Sequence, residues 1–127
     1  MCETNLSPVF VYNDGGRKIA GFKTNGDPII RAIAIAAQRP YQEVYDRKTQ
    51  RGWLKDYMTE LGFVWTQTIE DGGRCQIHLN ADELPSGRLI CNAYGRSVAV
   101  IDGVIHDVID PSEDGKCCVF GYWRLTN

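Results

Sequence analysis

The chain has 127 residues, of which 43% are hydrophobic and 24% charged, and its formal net charge is −2 at pH 7. This length and composition predict a single globular domain over residues 1–127 with a core of its own. No apolar stretch approaches the roughly 20 residues that span a bilayer, so we expect no membrane contact. The slight acidic excess argues against direct binding to nucleic acid. The first residues, Met1 to Asn5, lack the basic start and apolar core of a signal peptide, which predicts a cytoplasmic protein.

The N-terminal part of the chain predicts a short strand, a turn and a buried helix. Residues 8–13 form the strand, and the sequence Asp14-Gly15-Gly16 is typical of a turn. After an irregular approach over residues 17–26, a helix is expected over 27–37. Asp27 is a good N-cap, Pro28 suits the first helical position, and an apolar run follows.

Two further helices and a series of strands follow. The helices are predicted over 41–49 and 52–61; in the second, apolar residues recur every three or four positions and Gly62 fits the end. Strands are predicted after them, separated by glycine-containing turns, over 63–68, 75–79, 87–93, 97–102, 104–109 and 117–125. Helices followed by consecutive strands indicate an α+β fold.

The cysteines indicate neither a disulfide framework nor a metal site. They number five, an odd count, in a chain without a secretion signal: Cys2, Cys75, Cys91, Cys117 and Cys118. The adjacent Cys117 and Cys118 would point to opposite faces of a strand, so we interpret them as packing residues. Cys75 and His78 are three residues apart, which is no zinc signature and places them on opposite faces of a strand. We therefore expect no metal ion and no cofactor.

Six segments of the chain, in order, resemble one family of small phage and prophage proteins with a papain-like, cysteine-peptidase-type fold. They are "YNDGGRKIAGFKTNGD" at 12–27, "IRAIAIAAQRPYQEVYD" at 30–46, "YMTELGFVWT" at 57–66, "HLNADELPSGRLI" at 78–90, "AVIDGVIHDVIDPSEDG" at 99–115 and "CVFGYW" at 118–123. The resemblance implies a papain-like α+β domain, with the N-terminal helix packed centrally on a mostly antiparallel sheet.

The same resemblance implies that the peptidase chemistry has been lost. The family has a cysteine at the start of the central helix, where this chain has Pro28, and a histidine where this chain has Arg96. The acid that would orient the histidine corresponds to Asp110 or to Asp107. A cysteine peptidase needs a thiolate and a base within hydrogen-bond reach, and neither residue type is present at its matched position. No catalytic residue is therefore predicted.

We therefore predict a catalytically inactive phage or mobile-element protein. Its predicted function is to bind and inhibit a host protein complex in the host cytoplasm, for example as an anti-CRISPR or similar anti-defence protein. It would act as a monomer or small homo-oligomer. One alternative is an active cysteine peptidase or amidase-like hydrolase with a relocated nucleophile. A second alternative is a structural phage protein.

The predicted binding face is the vacated cleft and the loop over 47–53 beside it. Its candidate residues are Arg96, Asp107, Asp110, Lys48, Arg51 and Trp53. Arg96 could bind a carboxylate or phosphate, be a solvated arginine at a strand end, or pair with Asp110. The tryptophans, with Phe120 and Tyr122, could form a binding platform or belong to the core.

Overall fold

The computed structural model describes residues 9–48, 51–69 and 73–126. These ranges contain three helices and seven strands. In chain order they are β1 (Val9–Tyr12), α1 (Pro28–Ala37), α2 (Tyr41–Arg47), α3 (Trp53–Leu61), β2 (Phe63–Gln67), β3 (Ile77–His78), β4 (Arg88–Ala93), β5 (Arg96–Ile101), β6 (Val104–Asp107) and β7 (Cys118–Leu125). The α+β class predicted from the sequence is confirmed.

All seven strands belong to one mixed sheet. Its order is β1-β6-β5-β4-β7-β2, and the short β3 pairs with β7 beyond this path. Neighbouring strands are antiparallel except for β1 and β6, which are parallel. The antiparallel hairpin between β5 and β6 turns at Asp102 and Gly103, both with positive φ, as a tight turn of this hand requires. Tyr94 and Gly95 make a similar turn between β4 and β5.

The helix α1 begins and ends where its sequence predicts. The Asp27 carboxylate accepts a hydrogen bond from the Ile29 N–H at 3.1 Å, and Pro28 occupies the first turn, where it needs no N–H partner. The helix ends at Gln38, a residue in the left-handed conformation whose N–H bonds the carbonyls of Ala34 and Ile35. Between these caps the residues from Ile30 to Ala36 are all buried, because the helix lies across the sheet.

The core has one cluster on each face of the sheet. The first joins α1, α2 and α3 to the sheet and includes Ile33, Val44, Met58 and Ile90, each fully buried. The second cluster lies on the opposite face. It includes Leu79, Leu89, Val98, Cys91 and Val119. The helices therefore cover one face, and loop residues such as Leu79 and Leu84 cover part of the other.

Hydrogen bonds and cation–π contacts of Arg17 hold the irregular segment 17–26 together and against α2. Its guanidinium donates to the Lys23 and Thr24 carbonyls and to the Tyr41 hydroxyl, and it lies 4.9 Å from the Phe22 ring centroid. These contacts fix the backbone just before α1, where Arg31 donates hydrogen bonds to the Asn25 and Gly26 carbonyls.

Candidate functional site

Two of the candidate residues predicted from the sequence, Arg96 and Asp107, are in contact. Asp107 is the last residue of β6. Asp107 is only 3% exposed. Its Oδ2 accepts from Arg96 Nε at 3.0 Å, and its Oδ1 accepts from Arg96 Nη2 at 3.3 Å. The Val108 N–H also donates to Oδ1, at 2.7 Å. Arg96 thus pairs with Asp107, and the suggested pair with Asp110 is wrong.

A third residue, Arg31, completes this ion-pair cluster from the first turn of α1. Its Nη2 lies 3.3 Å from Asp107 Oδ1, and the side chain is as buried as the carboxylate. Its Nη1 donates to the carbonyl oxygens of Asn25 and Gly26 in the clamped segment before the helix. Among the described residues, Arg31 Nε is buried without a hydrogen-bond partner. Two guanidinium groups therefore share one carboxylate, and the cluster carries one excess positive charge.

The start of α1 and the start of β5 lie at the same end of the sheet. Arg88, the first residue of β4, approaches the carbonyls of Ile35 and Ala36 at the other end of α1, both at 3.4 Å. Since β4 and β5 are antiparallel, Arg96 lies at the end of the sheet near Pro28. The two positions that the resemblance assigns to nucleophile and base therefore face the same region.

The remaining candidates lie outside the ion-pair cluster. Asp110 is exposed, and its carboxylate accepts from the Ser112 N–H at 2.9 Å. Lys48 follows α2, with its Nζ 4.5 Å from the centroid of the Tyr45 ring. Arg51 is exposed, and Trp53 begins α3. The predicted binding face thus divides into a buried cluster and a separate, more exposed surface around Trp53.

That second surface is an open apolar groove of about 650 Å³. The face of the sheet and the first turn of α3 enclose it; its lining residues are Gly52, Trp53, Leu54, Lys55, Trp65, Asn92 and Trp123. The rings of Trp65 and Trp123 lie 5.2 Å apart between centroids. The Trp65 indole lies directly over Gly121, where an added Cβ would come within 2.2 Å of it. The three tryptophans therefore share one groove, while Phe120 and Tyr122 do not line it.

None of the four described cysteines offers a reactive thiolate at neutral pH. Cys91 is fully buried, and burial raises the pKa of its thiol to about 12. Burial and the charge of Glu113 raise the pKa of Cys117. Cys75 and Cys118 form a disulfide. Cys2 lies outside the described residues.

This disulfide contradicts the expectation that the cysteines would be unpaired. The two Cα atoms are 5.9 Å apart, within the range that a disulfide spans. They meet because β3 pairs with the start of β7, where His78 is opposite Cys118. An odd cysteine count could not reveal this long-range pairing. Disulfides are rare in the cytosol, whose reductants would act on this bond in the predicted cytoplasmic location.

Neither histidine is hydrogen-bonded to any of the four described cysteines. His78 Nδ1 lies 3.0 Å from Glu83 Oε1, and His106 Nδ1 lies 3.4 Å from Asn13 Nδ2. Burial, together with the nearby charge of Arg88, lowers the pKa of His106. The cavities that these two imidazoles line contain no cysteine side chain.

Comparison of the chain with protein-family models, curated proteins and solved structures gives no match. Within the described ranges, every helix is too short or too polar to cross a bilayer.

Proposed function

We propose that this protein is a catalytically inactive, papain-like phage or mobile-element protein that binds a host protein complex stoichiometrically and inhibits it. An anti-CRISPR or other anti-defence inhibitor acting in the host cytoplasm is the concrete form of this proposal. The observation that carries it is the replacement of the two expected catalytic groups by Pro28 and Arg96, with Arg96 held on buried Asp107.

The chemistry of these replacements supports a binding role. Proline has no nucleophilic side chain, and a guanidinium remains protonated in proteins, so it cannot take a proton from a thiol. In a cysteine peptidase an acid of this kind orients an imidazole. Here the Asp107 oxygens already accept from Arg96, Arg31 and the Val108 N–H. Both the expected nucleophile and the expected base are therefore absent from the proposed ancestral site.

The other thiols supply no replacement among the described residues. Cys91 is fully buried in the core, and Cys75 forms a disulfide with Cys118. An activated cysteine needs a lowered pKa, from a positive neighbour or a helix N-terminus. The pKa values of Cys91 and Cys117 are instead raised. This argues against the hydrolase with a relocated nucleophile.

The proposal is tested by purifying the tagged protein from host lysate and identifying what remains bound by mass spectrometry. We expect one host complex, recovered intact and in a fixed ratio. Pretreatment with a thiol-alkylating reagent should leave this recovery unchanged. If lysate proteins are instead cleaved or modified and alkylation stops it, the protein is an enzyme. A stable homo-oligomer with no host partner would favour a structural phage protein.

The ancestral site itself is tested by Pro28→Cys combined with Arg96→His. If the mapping is right, the introduced thiol stands at a helix N-terminus beside an imidazole, which lowers its pKa and makes it nucleophilic at neutral pH. Its alkylation rate should exceed that of every natural cysteine of the chain. Pro28→Cys alone is the matched control, because it lacks the imidazole. Equal, ordinary rates in both variants would contradict the mapping.

A further inference from the structure

The strand β2 is an open edge of the sheet. It pairs with β7 on one side, and in the described ranges no strand lies on its other side. The Thr68 N–H bonds the Phe120 carbonyl, and the Thr126 N–H bonds the Gly62 carbonyl. Because bonded pairs alternate in an antiparallel ladder, Val64 and Thr66 point their backbone groups towards β7. The N–H and C=O groups of Phe63, Trp65 and Gln67 therefore point outwards.

Within the described residues, the strand β2 carries neither a charge nor a proline nor a bulge that would protect it against strand addition. Its five residues, FVWTQ, contain no charge and no proline, and Val64 is 55% exposed. Natural edge strands commonly carry a lysine, a proline or a bulge that prevents another strand from pairing. The register between β2 and β7 is continuous over all five residues, so no bulge interrupts it.

The tryptophan groove begins directly at this edge. The Trp65 side chain lies in the groove, while its own backbone groups are among those pointing outwards. A residue placed opposite Trp65 by a new strand would project its side chain to the same face, next to the indole. The groove continues inward past Trp123 to Asn92, so it has room for a large side chain.

The charge beside the groove is positive. Among the described residues that line it, Lys55 is the one charged residue. The segment 47–55 carries four basic residues and is flanked by Asp46 and Asp56; of the basic residues, Arg47 pairs with Glu60 at 2.8 Å. Lys48, Arg51 and Lys55 are exposed. The surface therefore complements an acidic partner.

We propose that β2 and the tryptophan groove bind an extended acidic segment of the partner protein, which adds as a strand to β2 and places a large apolar side chain in the groove opposite Trp65. Main-chain hydrogen bonds supply affinity in this mode, and the side-chain pocket supplies specificity. This inference rests on the proposed function and names the surface and the chemistry of the partner segment.

The test is selection of a displayed random-peptide library on the immobilised protein. We expect enriched peptides to share a large apolar residue flanked by Asp or Glu. Gln67→Pro should weaken their binding about tenfold or more, because it removes an outward N–H and blocks pairing. Gln67→Ala is the matched control: it removes the same side-chain hydrogen bonds to Trp65 and Ile69 but keeps the backbone N–H.

A second pair of variants tests the charge of the partner segment. Lys55→Glu should weaken peptide binding about threefold or more, while the equal charge reversal Lys116→Glu, at the distant His78 cavity, should not.

Other outcomes would overturn the inference. These are no enrichment, enrichment without the acidic-apolar pattern, or equal binding by Gln67→Pro and Gln67→Ala variants with unchanged circular dichroism. A concentration-dependent dimer that Gln67→Pro abolishes would show that a second copy occupies the edge. If a host complex is recovered equally by the wild type and the Gln67→Pro variant, the proposed function stands and this surface is wrong. Peptide binding without any host complex would instead reject the proposed function.

Discussion

The substitution Asp107→Asn should destabilise the protein strongly, although it hardly changes the shape of the side chain. It removes the carboxylate that Arg31 and Arg96 share, and Arg31 is only 2% exposed. Breaking a buried ion pair by removing one partner costs about 3–5 kcal/mol, because the other charge remains buried and unpaired. For a chain of this length, that loss lowers Tm by about 10–20 °C.

The measurement is urea and thermal unfolding of three variants beside the wild type. Arg96→Gln leaves the Asp107–Arg31 pair in place and removes hydrogen bonds from a partly exposed side chain, so its cost should be smaller, about 1.5–3 kcal/mol. Asp110→Asn is the control, because that carboxylate is exposed; its effect should stay within about 0.5 kcal/mol. If Asp107→Asn is no more destabilising than Asp110→Asn, the buried cluster does not support the fold as argued.

Two further predictions concern the cysteines. Cys75→Ser removes a disulfide between residues 43 apart in sequence, and should lower the free energy of unfolding in urea by about 2–4 kcal/mol. Adding a dithiol reductant should destabilise the wild type by the same amount and leave the variant unchanged. A variant as stable as the oxidised wild type would contradict this prediction. The Cys91 thiol has its pKa raised from 9.0 to about 12 in the folded chain, so the unfolded chain loses that proton first as pH rises. The free energy of unfolding should therefore fall by about 1.4 kcal/mol per pH unit between pH 9.0 and about 12. In Cys91→Ala this dependence on pH should be weaker by the same amount. Equal dependence in both proteins would refute the raised pKa of Cys91.

Local sequence signals accounted for most of the fold. The cap at Asp27, the first-turn proline and the stop at Gly62 placed α1 and α3 within a residue or two. The strand predictions, with glycine-containing turns between them, located all seven strands. Residues 8 and 49, at the ends of two predicted elements, lie outside the described ranges. The parallel pairing of β1 with β6 and the place of β3 beside β7 depend on contacts between distant segments. No local pattern encodes such contacts, so they could not be predicted.

The candidate site was predictable only in part, for a related reason. Arg96 and Asp107 were identified, but their pairing was not, because Asp110 is equally acidic and only three residues away. Arg31 was missed altogether. A signal for it did exist: it is the one charged residue within the apolar run from Pro28 to Ala37. A charge in such a run must be paired if the helix is buried, and that requirement could have directed the search to a carboxylate.

Arg96 and Asp107, in the predicted cleft, do not line the tryptophan groove at β2. At the cleft, Arg96 directs two of its five N–H donors, on Nε and Nη2, to buried Asp107, which holds the side chain against the protein. At β2, by contrast, outward-pointing backbone groups that have no strand partner in the described ranges lie beside an apolar groove and a basic flank. Substitutions at sites that do not interact have additive effects. If the cleft only stabilises the fold while β2 binds, Arg96→Gln should lower stability without changing peptide affinity, and Gln67→Pro should weaken affinity beyond Gln67→Ala. Loss of peptide affinity in Arg96→Gln at temperatures where it remains folded would instead place the cleft within the binding surface.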